Sequence, residues 1–197
     1  MKTRIPRALG VLLLVAGSAA FSQEGEPSGP ADAARAEAAM NDLGGRLKTA
    51  LTAKMQADGP VAAVGFCREE APKIAAAVAA ERGLRVGRTA LRHRSPANAP
   101  TRWQEEVLEA FVERATGAPP ASLSWASRQD GVYRQARGIA TEAACLTCHG
   151  SGIAEPVRAA IAASYPQDRA TGFSEGELRG MFWVEIDKGS DAGEVRP

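Results

Sequence analysis

Two cysteines and a histidine stand together in the run CLTCH, as Cys145, Cys148 and His149. Thiols three residues apart can reach the two vinyl groups on one edge of a haem and form thioether bonds. The imidazole that follows then turns beneath the ring and binds iron. This spacing is the attachment signature of c-type haem, in which a neutral imidazole supplies the proximal nitrogen. Three other chemistries share part of the set. A thioredoxin-like redox pair has the same two-residue spacing and belongs at a helix start after a strand. A structural zinc ion could recruit Cys67, Cys145, Cys148 and His149, although the adjacent Cys148 and His149 converge poorly on one tetrahedral ion. A plain disulfide between Cys145 and Cys148 is the bland alternative.

Haem iron has a second axial position, and few side chains can fill it. His93 is the only other histidine and lies in the basic run RHRSP. Met40, Met55 and Met181 are available, but methionine at helical spacing is more often core filler. Cys67 is the odd cysteine once haem takes two, and an odd thiol in an exported chain calls for an explanation. It falls on an apolar stripe, so it is equally readable as a buried, inert thiol. Periodicity leaves both readings open.

Export is expected from the first 22 residues. Lys2, Arg4 and Arg7 precede an apolar run over 8–16 and small residues up to Ser22. That is the order of a secretory signal, with cleavage expected after Ser22 or Ala20. The apolar run is below the ~17 residues that span a bilayer, so stable membrane insertion is not expected and a periplasmic or otherwise exported product is. An oxidising compartment pairs neighbouring thiols unless chemistry claims them, and c-type haem is attached outside the cytoplasm. The signal and the motif therefore support one another.

Composition narrows the rest. A chain of 197 residues with formal charge +1 has room for one domain and an appendage. It lacks the basic excess of a nucleic-acid binder. Three cysteines are too few for a disulfide-built mini-domain. With aromatics at 5%, a planar apolar cofactor could supply core volume. Its carboxylates need cations, for which Arg88, Arg92, Arg94 and Arg137 are candidates. Trp103, Trp125 and Trp183 read most simply as ordinary core.

The elements that must position these groups follow from periodicity. Residues 23–30 form a flexible lead-in. From 31 to about 57, Met40, Leu43, Leu47, Leu51 and Met55 mark one face of an amphipathic helix. Asp58, Gly59 and Pro60 break it, and a second helix carries Val61, Val64, Cys67, Ala71, Ile74 and Val78 up to a cap at Gly83. Residues 84–91 alternate as a short strand. Thr101 and Gln104 make a capping box for a third helix that buries Trp103, Val107 and Phe111. Asp130 and Gly131 join strands at 122–128 and 132–139. A short helix is expected at 155–164 and a buried strand at 180–186, before a loose tail over 188–197. The sum is an α+β domain over 31–187.

The ordered runs AVGFCREEAPKIA, GRTALRHRSPANAPTRWQ, ACLTCHG and YPQDRATGFSEGELRGMFWV resemble a family of haem-binding, PAS-like domains. Its members occur in periplasmic c-type cytochromes and as inputs of bacterial sensor proteins. The resemblance spans about 38–186. It implies a PAS-like fold with N-terminal helices on a small antiparallel sheet. In the cyanobacterial cytochrome type it implies His and Cys as axial ligands, which falls on Cys67 here and leaves His93 as the alternative. The expectation is a soluble, exported, mono-haem c-type cytochrome with a low reduction potential, because a thiolate stabilises ferric iron. With both axial positions filled it is expected to pass single electrons to a redox partner protein and not to act as an enzyme. The alternative is a haem-based redox or gas sensor module.

Overall fold

Residues 29–188 are described by a computed structural model; the expected signal peptide, most of the lead-in and the end of the tail lie outside them. Alanine-rich sequence with few β-branched residues favours helix, and α1 runs over Pro30–Arg82. Its hydrogen bonding passes through a sharp break at Gly59, whose φ of 76° and ψ of 177° are non-helical. Only glycine takes that conformation without cost, and Pro60 then restarts the helix with its φ already set. The two arms run antiparallel. Arg46 of the first arm bridges Glu81 of the second, and Arg82 bridges Asp42. Gly83 closes the second arm in the left-handed conformation, its N–H bonded to the Ala79 carbonyl.

Four strands follow: β1 Arg85–Thr89, β2 Ser124–Gln129, β3 Val132–Ala140 and β4 Leu178–Asp187. They form one antiparallel sheet in the order β1-β4-β3-β2. The β2–β3 turn places Asp130 at φ 52° and Gly131 at φ 75°, the pair of positive angles that tight hairpin turns prefer. Helix α2 spans Arg102–Arg114, and its first turn is held by the Gln104 side chain, which accepts the Thr101 N–H at 2.9 Å. A four-residue helix α3, Leu146–His149, and then α4, Glu155–Ser164, lie between β3 and β4.

The period-two alternation of β4 divides the core. Phe182, Val184 and Ile186 face α1 and pack with Met40, Leu43, Val78, Val86 and Tyr133. Met181 and Trp183 face the other way, with Val107, Leu108 and Phe111 of α2. Full burial of each such side chain contributes about 1.5–3 kcal/mol. Trp103 and Trp125 stack at 5.6 Å in this second layer, so all three tryptophans belong to the α2 face. A third cluster joins Val64 on the second arm to Val157, Ile161 and Tyr165, with Cys148 packed against it. Among the described residues, no helix is long and apolar enough to cross a membrane.

Candidate functional site

The CLTCH run begins five residues after β3 ends. Cys145 closes a 3-10 turn over Ala143–Cys145, and α3 carries the rest. At helical spacing, positions three apart share a face, so Cys145 and Cys148 lie side by side with His149 next in line. Both cysteines are free and half-buried. Gly150 ends the turn with its N–H on the Leu146 carbonyl at 3.0 Å. A Cβ there would stand 2.7 Å from that same carbonyl oxygen, so the turn closes only over glycine.

His149 is held from several directions. Its Nδ1 lies 2.6 Å from the Ala170 carbonyl oxygen. A carbonyl only accepts, so Nδ1 carries the proton and Nε2 keeps its lone pair. The Phe173 N–H donates to the His149 carbonyl at 2.9 Å, and the Gly172 N–H to that of Gly150 at 2.9 Å. The Phe173 ring meets the imidazole edge-on, 6.3 Å between centroids. Burial pushes the His149 pKa down to about 3, with Arg179 and Arg94 adding to the effect and the Ala170 bond opposing it. The imidazole is therefore neutral at any physiological pH, the form that binds metal.

Arg94 connects the pieces. Its guanidinium bonds Asp168 at 3.2 Å, the Ala170 carbonyl at 3.2 Å and the Cys148 carbonyl at short range. The Arg94 and Asp168 side chains are only 13% and 9% exposed. Asp168 also accepts the Ala170 N–H at 2.8 Å, which fixes the carbonyl that orients His149. Arg92 covers Phe173 at 3.9 Å and pairs with Glu177. Arg179 lies 5.0 Å from the same ring and donates to the Arg92 carbonyl. It makes no ion pair among the described residues, and burial, then Arg94 and Arg88, lowers its pKa to about 10.

Cys67 approaches from the second arm of α1. It lines a cavity of about 30 Å³ with Leu47, Phe66, Ile74 and Arg88. Burial pushes its thiol pKa up, Arg88 and Arg94 oppose that, and Cys148 is near enough to add to it. Val64, one turn earlier on the same arm, touches the cluster that includes Cys148. The structure thus brings Cys67 to the neighbourhood of the motif.

The other sequence candidates lie elsewhere or differ in kind. Met40 and Met181 are fully buried in the two sheet cores. His93 has a buried Nδ1 with no hydrogen-bond partner, while its carbonyl accepts the Arg169 N–H at 3.1 Å. Arg137, expected near a cofactor carboxylate, instead pairs with Glu37 and Asn41 on the first arm. The alternation of β3 points it to that helix. Arg94 is used as a brace. Among the described residues, no three His, Cys, Asp or Glu side chains converge as a metal cluster, so the four-ligand zinc set is not assembled.

Sequence reasoning missed Ala170, Asp168, Phe173 and Arg179. A main-chain carbonyl acceptor leaves no mark in residue type. Only the run YPQDRATGFSEGELRGMFWV, read as one pattern, carried any signal for these positions.

A helical hairpin on a four-stranded antiparallel sheet, with two free thiols beside an oriented neutral imidazole and half-buried arginines around them, defines a class of α+β domains equipped to hold a metal-centred anionic cofactor. The chain belongs to the Tll0287-like family, whose model matches residues 19–187. A solved relative, the cyanobacterial heme-protein Tll0287, is 28% identical and superposes with a TM-score of 0.63 over 81% of this chain and 97% of its own. No curated protein matches the sequence.

Proposed function

We propose that this protein is an exported c-type cytochrome holding one haem, with thioether bonds from Cys145 and Cys148, His149 as proximal ligand and Cys67 as distal ligand. The observation that carries this reading is the His149 tautomer. Bonding of Nδ1–H to the Ala170 carbonyl aims an Nε2 lone pair from a motif whose two thiols are both free. The similarity to a haem protein of the same family supports it. The donor set fits the group. A neutral imidazole and a thiol suit iron, and Arg179, without an ion pair, suits a cofactor carboxylate. Haem supplies a reversible one-electron couple; the chain supplies its setting. The Ala170 carbonyl makes His149 a stronger donor. The buried surroundings and the sulfur favour ferric iron, which keeps the potential low, while the arginines pull the other way.

Cys67 lines a small cavity with Leu47, Phe66, Ile74 and Arg88 on the second arm's inner side. The helical hairpin and sheet suit a PAS-like assignment. With His149 and Cys67 both holding the iron, the protein would serve as an electron carrier for a redox partner protein and not as an enzyme.

Protein matured with a c-type haem assembly system tests the reading. The expected result is a mass equal to polypeptide plus one haem and a low-spin thiolate spectrum that Cys67→Ser abolishes. A colourless product of bare polypeptide mass would refute it. An unchanged spectrum in Cys67→Ser would move the ligand to His93, whose buried, unpartnered Nδ1 makes it the second candidate. The sensor reading rests on the PAS-like resemblance: were Cys67 to release the iron on reduction, a small gas such as carbon monoxide could bind in its place. A Soret shift of the reduced protein under that gas distinguishes it from a pure carrier.

A further inference from the structure

Most arginines among the described residues are paired with a carboxylate. Arg68, Arg88, Arg114, Arg169 and Arg179 are not. Arg114 closes α2, on the far side of the sheet from α1, where a cation suits the helix end. The other four gather around the motif and Cys67. Arg68 follows Cys67 and is exposed. It lies one turn beyond Val64 on the same helix face, and Val64 packs on Tyr165. Arg169 is exposed just after Tyr165, with its N–H on the His93 carbonyl, and it precedes Ala170, whose carbonyl orients His149. Arg88 is exposed on β1 and borders the cavity of Cys67. Arg179 is half-buried against Phe173. Burial, then the Cys67 sulfur, raises the Tyr165 pKa, and Arg94, Arg68 and Arg88 stand near enough to oppose it. The neighbouring Arg94 and Arg92 are neutralised by Asp168 and Glu177. Glu70 is taken by Lys73, so Glu69, beside Arg68, offsets one charge and the patch stays positive.

We propose that the exposed Arg68, Arg88 and Arg169 form a docking patch for an acidic electron-transfer protein. The inference rests on haem being held at the motif, and it names the kind of partner that this haem would serve. The patch flanks both proposed axial ligands, through Cys67 on one side and Ala170 on the other. Arginine keeps its charge at any physiological pH. A cluster of one sign attracts and steers an opposite partner, raising its on-rate by roughly 10–10³-fold. The molecule as a whole offers no such attraction. A chain of formal charge +1 that loses Lys2, Arg4 and Arg7 with its expected signal carries a formal charge of −2. Net charge and patch therefore predict opposite responses to salt. Salt screens the attraction of an acidic partner to the patch, whereas it relieves the repulsion of that partner by an acidic molecule.

The test uses mature haem-loaded protein, its haem content first read by mass. The probe is a reduced plant-type ferredoxin, chosen because it is small and acidic. One electron passes from its iron–sulfur cluster to ferric haem iron; the cluster is oxidised, the iron is reduced, and no bond or proton moves. Stopped-flow absorbance gives the bimolecular rate constant at rising salt. The expected result is a rate that falls as salt rises. Arg68→Glu and Arg169→Glu should each lower it about tenfold at low salt, while Arg114→Glu, with the same change in net charge, leaves it within about twofold. A rate that rises with salt, or an equal fall in all three variants, would show that net charge governs the encounter and overturns the proposal. A salt-independent rate overturns it too; co-sedimentation with phosphatidylglycerol but not phosphatidylcholine vesicles would then assign the patch to a lipid surface. Those outcomes leave the haem reading standing. Unmodified protein of bare polypeptide mass would remove that reading together with this one.

Discussion

His149 is fixed by its own ring nitrogen, its carbonyl and the carbonyls on either side, whereas no hydrogen bond reaches the Cys67 sulfur among the described residues. The elements behind them differ in the same way. His149 sits on a four-residue helix clamped by Arg94 and by the backbone of Gly172 and Phe173. Cys67 rides on a long arm that turns at a glycine. Rigid support on the His149 side is what a metal-binding imidazole would need to hold its geometry. The Cys67 side is instead held by apolar packing of its arm, through Val64 and Val78.

The largest effect expected from breaking this contrast lies in the thiols. Changing Cys145 and Cys148 together to alanine removes all covalently held haem, seen as a mass that returns to bare polypeptide. Haem surviving denaturation in that variant would end the proposal of thioether bonds. Next comes the brace. Arg94→Met leaves the Asp168 carboxylate, 9% exposed, without its cation, and loss of one partner of a buried pair costs about 3–5 kcal/mol. Urea unfolding should show that drop; a change below about 1 kcal/mol would mean that the His149 side is no better supported than the other.

A smaller effect concerns pH in the haem-free chain. The folded His149 titrates at about 3, below its ordinary value of 6.5, mainly because of burial. The unfolded chain therefore binds a proton that the fold refuses, and stability from this source is present above pH 6.5 and is lost as pH falls toward 3. His149→Gln should flatten the unfolding profile across that window. Smallest of all is the exposed Lys48–Glu142 pair, 69% and 58% exposed at 2.8 Å, which joins the first arm to the start of the motif segment. Glu142→Gln should leave the urea unfolding midpoint essentially unchanged, because solvent screens an exposed pair. A fall in the midpoint would show that the arm steadies the motif side as well.

Much of the local structure was legible in the sequence because local rules govern it. The break at Gly59, the cap at Gly83, the Asp130–Gly131 turn and the helix Glu155–Ser164 all follow from residue type over a few positions. Strand order did not follow. β1 pairs with β4 about 95 residues later, Arg88 opposite Phe182, and nothing near β1 marks that partner. The motif residues were equally legible, since their spacing is their chemistry. Their support was not, because Arg94, Asp168 and the Ala170 carbonyl meet the motif only through the tertiary fold. Arg137 and Arg94 looked alike in the sequence as available cations; the first is taken up by Glu37, the second by Asp168.

Gly150 extends the chemistry by one letter. With the Leu146 oxygen where a side chain would begin, the residue after the imidazole has no evolutionary latitude while this turn persists. A genome survey for sites built this way should require a six-letter word, two thiols, the imidazole and then glycine. It should add, some twenty positions downstream, a segment able to offer one main-chain oxygen. Drift at that sixth letter would mark lineages in which the cofactor cradle has been abandoned, even where both thiols survive.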